Sequence, residues 1–171
     1  EKKKEARKME LYAGMVDNLD FNIGRLLQHL REIGEYDETL ILFMSDNGAA
    51  AEDFYYQETY GPFIRQRFND DYDNMGKPNS FISYGPQWAE AGSAPFRYFK
   101  GQITEGGIIA PMIISGPGID HKNKILDSFV TVMDIAPSFY ELAETQYPDT
   151  YRNRTVYPLK GVSMMNLVLG K

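Results

Sequence analysis

A mixed α/β domain is what this sequence predicts, on three observations. Met9, Tyr12, Val16, Leu19, Ile23, Leu26 and Leu30 recur at spacings of three and four, which is one apolar stripe along a long helix. Directly after it, Leu40-Ile41-Leu42-Phe43-Met44 is apolar without interruption, the pattern of an interior parallel strand buried on both faces. The chain is 171 residues, 43% hydrophobic and 25% charged, enough for a domain with a real core.

In chain order, Gly34 closes the helix and Glu35 to Glu38 form a polar turn. The strand runs into Ser45-Asp46-Asn47-Gly48, and ligands of open α/β sheets gather at such carboxyl ends. From Ala49 to Phe99 the periodicity fails while aromatics accumulate, among them Tyr55, Tyr56, Tyr60, Tyr84 and Trp88. A loop this long is either an aromatic mini-core over the sheet edge or a wall of a substrate pocket, and both readings stand. Lys100 precedes a turn at Thr104-Glu105-Gly106-Gly107, and Ile108 to Ser115 read as a strand whose Pro111 marks it as an edge. Gly116-Pro117-Gly118 turns the chain, and Phe129 to Val132 read as a second short strand. Asp134 is placed to cap a helix through Leu142, with Pro137 in its first turn. The residues after Gly161 fit a final amphipathic helix.

The net charge of -6 argues against a nucleic-acid partner. The one basic cluster, Lys2, Lys3, Lys4, Arg7 and Lys8, is broken up by Glu1, Glu5 and Glu10, as on a solvated helix face. With no cysteine there is no disulfide framework, thiolate metal site or cysteine nucleophile. No apolar run approaches the roughly 20 residues of a membrane span. No signal peptide is visible, and Glu1 falls inside a running helix, so the sequence reads as a fragment.

Asp46 and Asn47 offer hard oxygen donors, suited to calcium or magnesium rather than zinc. Two donors cannot fill a calcium shell, and Asp-Asn-Gly is also an ordinary type I′ turn sequence, so a bare turn remains open on these residues alone. Their surroundings carry more. The segments Tyr12-Ala13-Gly14-Met15-Val16-Asp17-Asn18-Leu19-Asp20, Leu42-Phe43-Met44-Ser45-Asp46-Asn47-Gly48-Ala49 and Tyr84-Gly85-Pro86-Gln87-Trp88-Ala89 come first. Lys100-Gly101-Gln102-Ile103-Thr104-Glu105-Gly106-Gly107-Ile108, Val132-Met133-Asp134-Ile135-Ala136-Pro137-Ser138 and Gly161-Val162-Ser163 follow in order. From about Tyr12 onward this resembles the sulfatase family, and the Tyr-Gly-Pro-x-Trp-Ala segment resembles bacterial arylsulfatases in particular.

The resemblance implies an alkaline-phosphatase-like α/β fold, of which this chain holds part of the large mixed sheet and a small C-terminal antiparallel α+β subdomain. It divides the chain into residues 1–99, the end of the catalytic domain with an aromatic-rich insertion, and residues 100–171. It implies hydrolysis of a sulfate ester. Asp46 and Asn47 match ligands of one Ca2+ ion, and Lys100 matches the lysine that contacts the sulfate and the leaving-group region, in substrate binding and catalysis. The remaining ligands and the formylglycine nucleophile are expected from an N-terminal half of the same protein, the chain's implied partner, and a fragment without them is expected to be inactive. A periplasmic or secreted setting is implied as well, in preference to the cytoplasm, because such sulfatases are often exported. His29 and His121 match no family site position and read as surface residues. Ile109 stands where many relatives carry arginine, a change of local packing or salt bridging.

Ser93-Ala94-Pro95-Phe96-Arg97 formally matches the Ser-x-Pro-x-Arg pattern of serine-type formylglycine sites. The leucine and Thr-Gly that should follow are absent, and Lys100 stands where that leucine belongs, so the match is read as a decoy. Two alternatives remain. One is another alkaline-phosphatase-superfamily hydrolase, acting on a phosphonate or phosphodiester; two-metal phosphatases of that kind place histidine after the aspartate, whereas Asn47 offers oxygen. The other is a non-catalytic module descended from a sulfatase, against which stands the joint presence of Asp46, Asn47 and Lys100.

Overall fold

A computed structural model describes residues 1–119 and 124–170; His121 lies outside the described residues. The chain forms two compact units, Glu1–Ile114 and Ser115–Lys171.

The first unit opens on α1 (Lys2–Glu32), the helix predicted by the apolar stripe. Its end is a Schellman motif: Gly34, at φ +79, donates its N–H to Arg31 O, and Glu35 N–H reaches Leu30 O at 2.9 Å. A side-chain bond from Thr39 Oγ1 to Glu35 O closes the following turn, and β1 (Ile41–Met44) begins. This strand pairs with β2 (Met112–Ser115) in a two-stranded sheet. The apolar run is thus a strand, but only a half-buried one, with Phe43 41% exposed. Among the described residues it has a single neighbour strand, so burial on both faces is not reached within this chain.

The aromatic segment holds short helices, α2 (Gly61–Arg65) and α3 (Gly85–Ser93), each with a proline in its first turn. It fastens the start of α1. Trp88 Nε1 donates to Glu5 O at 3.2 Å, Tyr84 stacks on Tyr12 with ring centroids 5.1 Å apart, and Lys4 Nζ lies 2.6 Å from Asp70 Oδ2. Tyr56 donates its hydroxyl to the same Asp70 oxygen. Burial works against charge on Lys4 and Asp70, but their mutual bond, with Tyr56 added, outweighs it; Lys4 is pushed up and Asp70 down from their ordinary pKa values. Met75, Ala89 and Ile64 are buried here, which makes the segment a mini-core. The middle of α1 is different: Tyr12, Met15, Val16, Leu19 and Phe21 are all exposed, Phe21 by 67%. Beyond Lys100 the sequence predicts a turn and one strand from Ile108. Instead Glu105–Ile108 form a helical turn, α4, and the strand starts only after Pro111. Ile109, which stands in place of the arginine of many relatives, sits at the end of that turn and is exposed.

In the second unit, Phe129 to Val132 are not a strand. Thr131 and Asp134 instead form a reciprocal capping box around a 3-10 turn, Val132–Asp134. The helix expected through Leu142 is present as α5 (Ile135–Leu142), but the Asp134 side chain does not cap it, being turned back to Thr131. A hairpin pairs β3 (Thr150–Tyr151) with β4 (Arg154–Thr155) antiparallel, and α6 (Met165–Val168) ends the unit with Met165 and Val168 buried.

Candidate active site

The strand β1 delivers Ser45 to a position where its N–H reaches Pro111 O at 3.4 Å, at the head of β2. The chain then turns sharply, with Ser45 Oγ donating to Asn47 O at 2.9 Å, a local side-chain-to-backbone bond that orders a tight turn. Asp46 is exposed on this turn and Asn47 half-buried. Among the described residues neither side chain is engaged in a hydrogen bond or ion pair, so their oxygens are unspent.

Glycine lets a second segment close onto the turn. A Cβ on Gly48 would overlap the Gly106 carbonyl oxygen, and a Cβ on Gly106 would overlap the Tyr98 carbonyl oxygen. Residues 97–107 are themselves tied up, by Gly106 N–H to Arg97 O at 3.1 Å and Thr104 Oγ1 to Arg97 O at 2.7 Å. The result is a main-chain bond from Lys100 N–H to Ala49 O at 3.0 Å, although the two stand far apart in sequence. Lys100 is thereby anchored to the segment that carries Asp46 and Asn47.

At its far end the Lys100 ammonium meets Glu52, with Nζ 3.3 Å from Oε1. Glu52's own backbone N–H, and after it Lys100, hold the Glu52 carboxyl below the ordinary glutamate range against the opposing pull of burial. Sequence reasoning does not find Glu52. Its signal is faint, one of two adjacent carboxylates, Glu52 and Asp53, ahead of the aromatic run from Phe54.

A carboxylate and an amide oxygen on one turn are a donor set that suits Ca2+, and both being free of protein partners fits that use. They remain a partial set: among the described residues no group of three His, Cys, Asp or Glu is placed to hold a metal ion. Ser93, the decoy candidate, is the last residue of α3, and residues 94–98 after it are turn and bend rather than helix. Its Oγ is buried without a hydrogen-bond partner among the described residues. His29 is exposed on α1. No helix among the described residues is long and apolar enough to cross a membrane.

Asp46 and Asn47 thus stand at the end of β1, with Lys100 bonded through its main chain to Ala49 just beyond them. Comparison with known proteins gives the family. The family model "Sulfatase" matches residues 1–145. An uncharacterised sulfatase of Schizosaccharomyces pombe is 50% identical over 151 residues, covering 86% of this chain and 27% of its own length. An arylsulfatase of Klebsiella aerogenes is 41% identical over 161 residues, 93% of this chain and 34% of its own. A mouse steryl-sulfatase is 28% identical over 137 residues, 80% of this chain and 18% of its own. The chain belongs to the sulfatase family. It spans about a third or less of the length of these relatives.

Proposed function

We propose that this chain contributes part of the active site of a sulfuric ester hydrolase of the arylsulfatase kind, completed by an N-terminal half of the same protein. The observation that carries the reading is the Lys100 N–H to Ala49 O bond, which ties the lysine to the Asp46–Asn47 turn. In this reading Asp46 and Asn47 are two oxygen ligands of one Ca2+ ion, which when bound supplies electrostatic stabilisation of the sulfuryl oxygens. The Lys100 ammonium presents a compact positive charge to oxygens on which negative charge develops, and lies toward the leaving group. The formylglycine nucleophile and the remaining ligands come from the N-terminal half. Ser93 stays outside the chemistry in this reading; its hydroxyl is buried at the end of a helix with no hydrogen-bond partner among the described residues. A periplasmic or secreted setting goes with this reading.

The test is turnover of a chromogenic aryl sulfate by the 171-residue chain and by the polypeptide that also carries the upstream region. The chain alone is expected to be inactive and the longer polypeptide active. Turnover by the chain alone, abolished in Ser93→Ala, would overturn both the shared site and the reading of Ser93 as a decoy.

A further inference from the structure

We propose that Glu52 is a positioning residue for Lys100, its carboxylate fixing where the lysine ammonium stands. The inference rests on the reading of Lys100 as the sulfate contact. Lysine carries its charge on a flexible four-carbon stem, so anchoring its main chain leaves the ammonium free to sweep. Here both ends are held by one short stretch. Ala49 O accepts the Lys100 N–H at 3.0 Å, and Glu52 Oε1, three residues on, stands 3.3 Å from Nζ.

A stability role is the competing explanation, and the exposure of the pair decides against it. The Lys100 and Glu52 side chains are 40% and 34% exposed, and pairs so open to water contribute little to folding. Other ion pairs among the described residues are of a different kind. Arg7 with Glu10 and Lys8 with Glu5 lie one turn apart on α1, and Lys4 with Asp70 ties α1 to the mini-core. The Glu52 pair, unlike these, fixes a side chain that the proposed chemistry needs. Backbone N–H groups at Glu52 and Ala51 also favour the charged form of its carboxylate.

The experiment is a double-mutant cycle in the full-length polypeptide, read as kcat and KM for a chromogenic aryl sulfate, with thermal unfolding alongside. Glu52→Ala should lower kcat roughly 10-fold through a misplaced ammonium, with unfolding unchanged and Glu52→Asp recovering part of the rate. In a Lys100→Ala background the same Glu52→Ala change should cost nothing further, because the group it positions is gone. Parental kcat in Glu52→Ala and Glu52→Gln, or an undiminished loss in the Lys100→Ala background, overturns the assignment of Glu52 alone. Parental activity in Lys100→Ala overturns the reading of Lys100, and the Glu52 proposal falls with it. An independent measurement on the 171-residue chain is the 13C titration of the Glu52 carboxyl. Lys100→Met should move it up toward the ordinary glutamate range, and no movement would show that the pair does not form.

Discussion

Two aspartates of this chain, Asp46 and Asp134, follow short apolar runs, and the structure uses them in opposite ways. Asp134 is spent. One oxygen accepts from Thr131 N–H at 2.7 Å and Thr131 Oγ1 at 3.0 Å, and the other accepts from Val162 N–H at 2.8 Å. Its carbonyl accepts from Ser138 Oγ at 2.6 Å, and that hydroxyl in turn accepts Met164 N–H at 2.9 Å. Gly161 is pressed so closely on Met133 that a Cβ there would overlap the Met133 carbonyl oxygen. Asp46, on its exposed turn, makes no such bonds among the described residues. A carboxylate consumed by backbone donors stabilises a fold; one held on an ordered turn with its oxygens free is fit for a ligand. Both lie in segments that resemble sulfatases, so the resemblance alone does not separate the two uses.

The sharpest way to break the comparison is to exchange charge at the open turn. In the full-length polypeptide, on the proposed function, Lys100→Ala should lower kcat by roughly 10² or more, since the lost donor acts on developing charge. Asp46→Ala should cost more, through both metal occupancy and positioning. Asp46→Asn keeps shape and one oxygen while deleting a charge, so its loss should be recovered by excess calcium. If calcium at any concentration leaves Asp46→Asn where it was, or if Asp46→Ala is harmless, Asp46 is not a ligand. None of these changes should move thermal unfolding as far as a change in the Asp134 network does.

That network gives the next effect in size. Ser138 is 1% exposed and links the turn before α5 to the Met164 amide at the start of α6. Ser138→Ala leaves the buried Met164 N–H without its acceptor, at a cost of about 1–3 kcal/mol. Urea unfolding of the whole chain, with amide exchange at Met164, reads it directly. A midpoint unchanged from the parent would mean water replaces the hydroxyl there and the network is not tight.

Much of the scaffold is legible in the sequence because it obeys local rules. The stripe from Met9 to Leu30 predicts α1, Gly34 predicts its end, and the apolar run predicts β1, since period and capping chemistry are written in consecutive residues. What fails is contextual. Phe129 to Val132 have strand composition, yet Phe129 is almost wholly exposed with no strand beside it among the described residues, and the Thr131–Asp134 box takes the backbone into a turn. Gly106 and Gly107 argue against helix, yet α4 forms because only glycine fits against the carbonyls packed there. The turn between β3 and β4 places Arg152 and Asn153 at positive φ with no glycine to announce it. At the candidate site, Asp46, Asn47 and Lys100 are found by resemblance, while the Ala49 and Glu52 contacts to Lys100 depend on long-range closure that no local pattern encodes.

The smallest effect concerns how Asp134 is held, and it is a matter of pH. The Val162 and Thr131 backbone N–H groups hold the Asp134 carboxyl below the ordinary aspartate range in the folded chain. A carboxyl depressed on folding stabilises above its unfolded value, and that contribution is lost as pH falls through the lowered folded value. Asp134→Asn keeps one accepting oxygen, but its amide nitrogen cannot accept from the donors on the other side. At neutral pH the variant should therefore unfold at lower urea than the parent. As pH falls through and below the ordinary aspartate range the parent protonates, and the gap between the two midpoints should close. The site is open to water, so the gap is expected to be smaller than the one Ser138→Ala produces. A gap that stays constant down to the lowest pH at which both fold would mean that shape rather than charge holds Thr131 and Val162. Asp134 would then differ from Asp46 in packing alone.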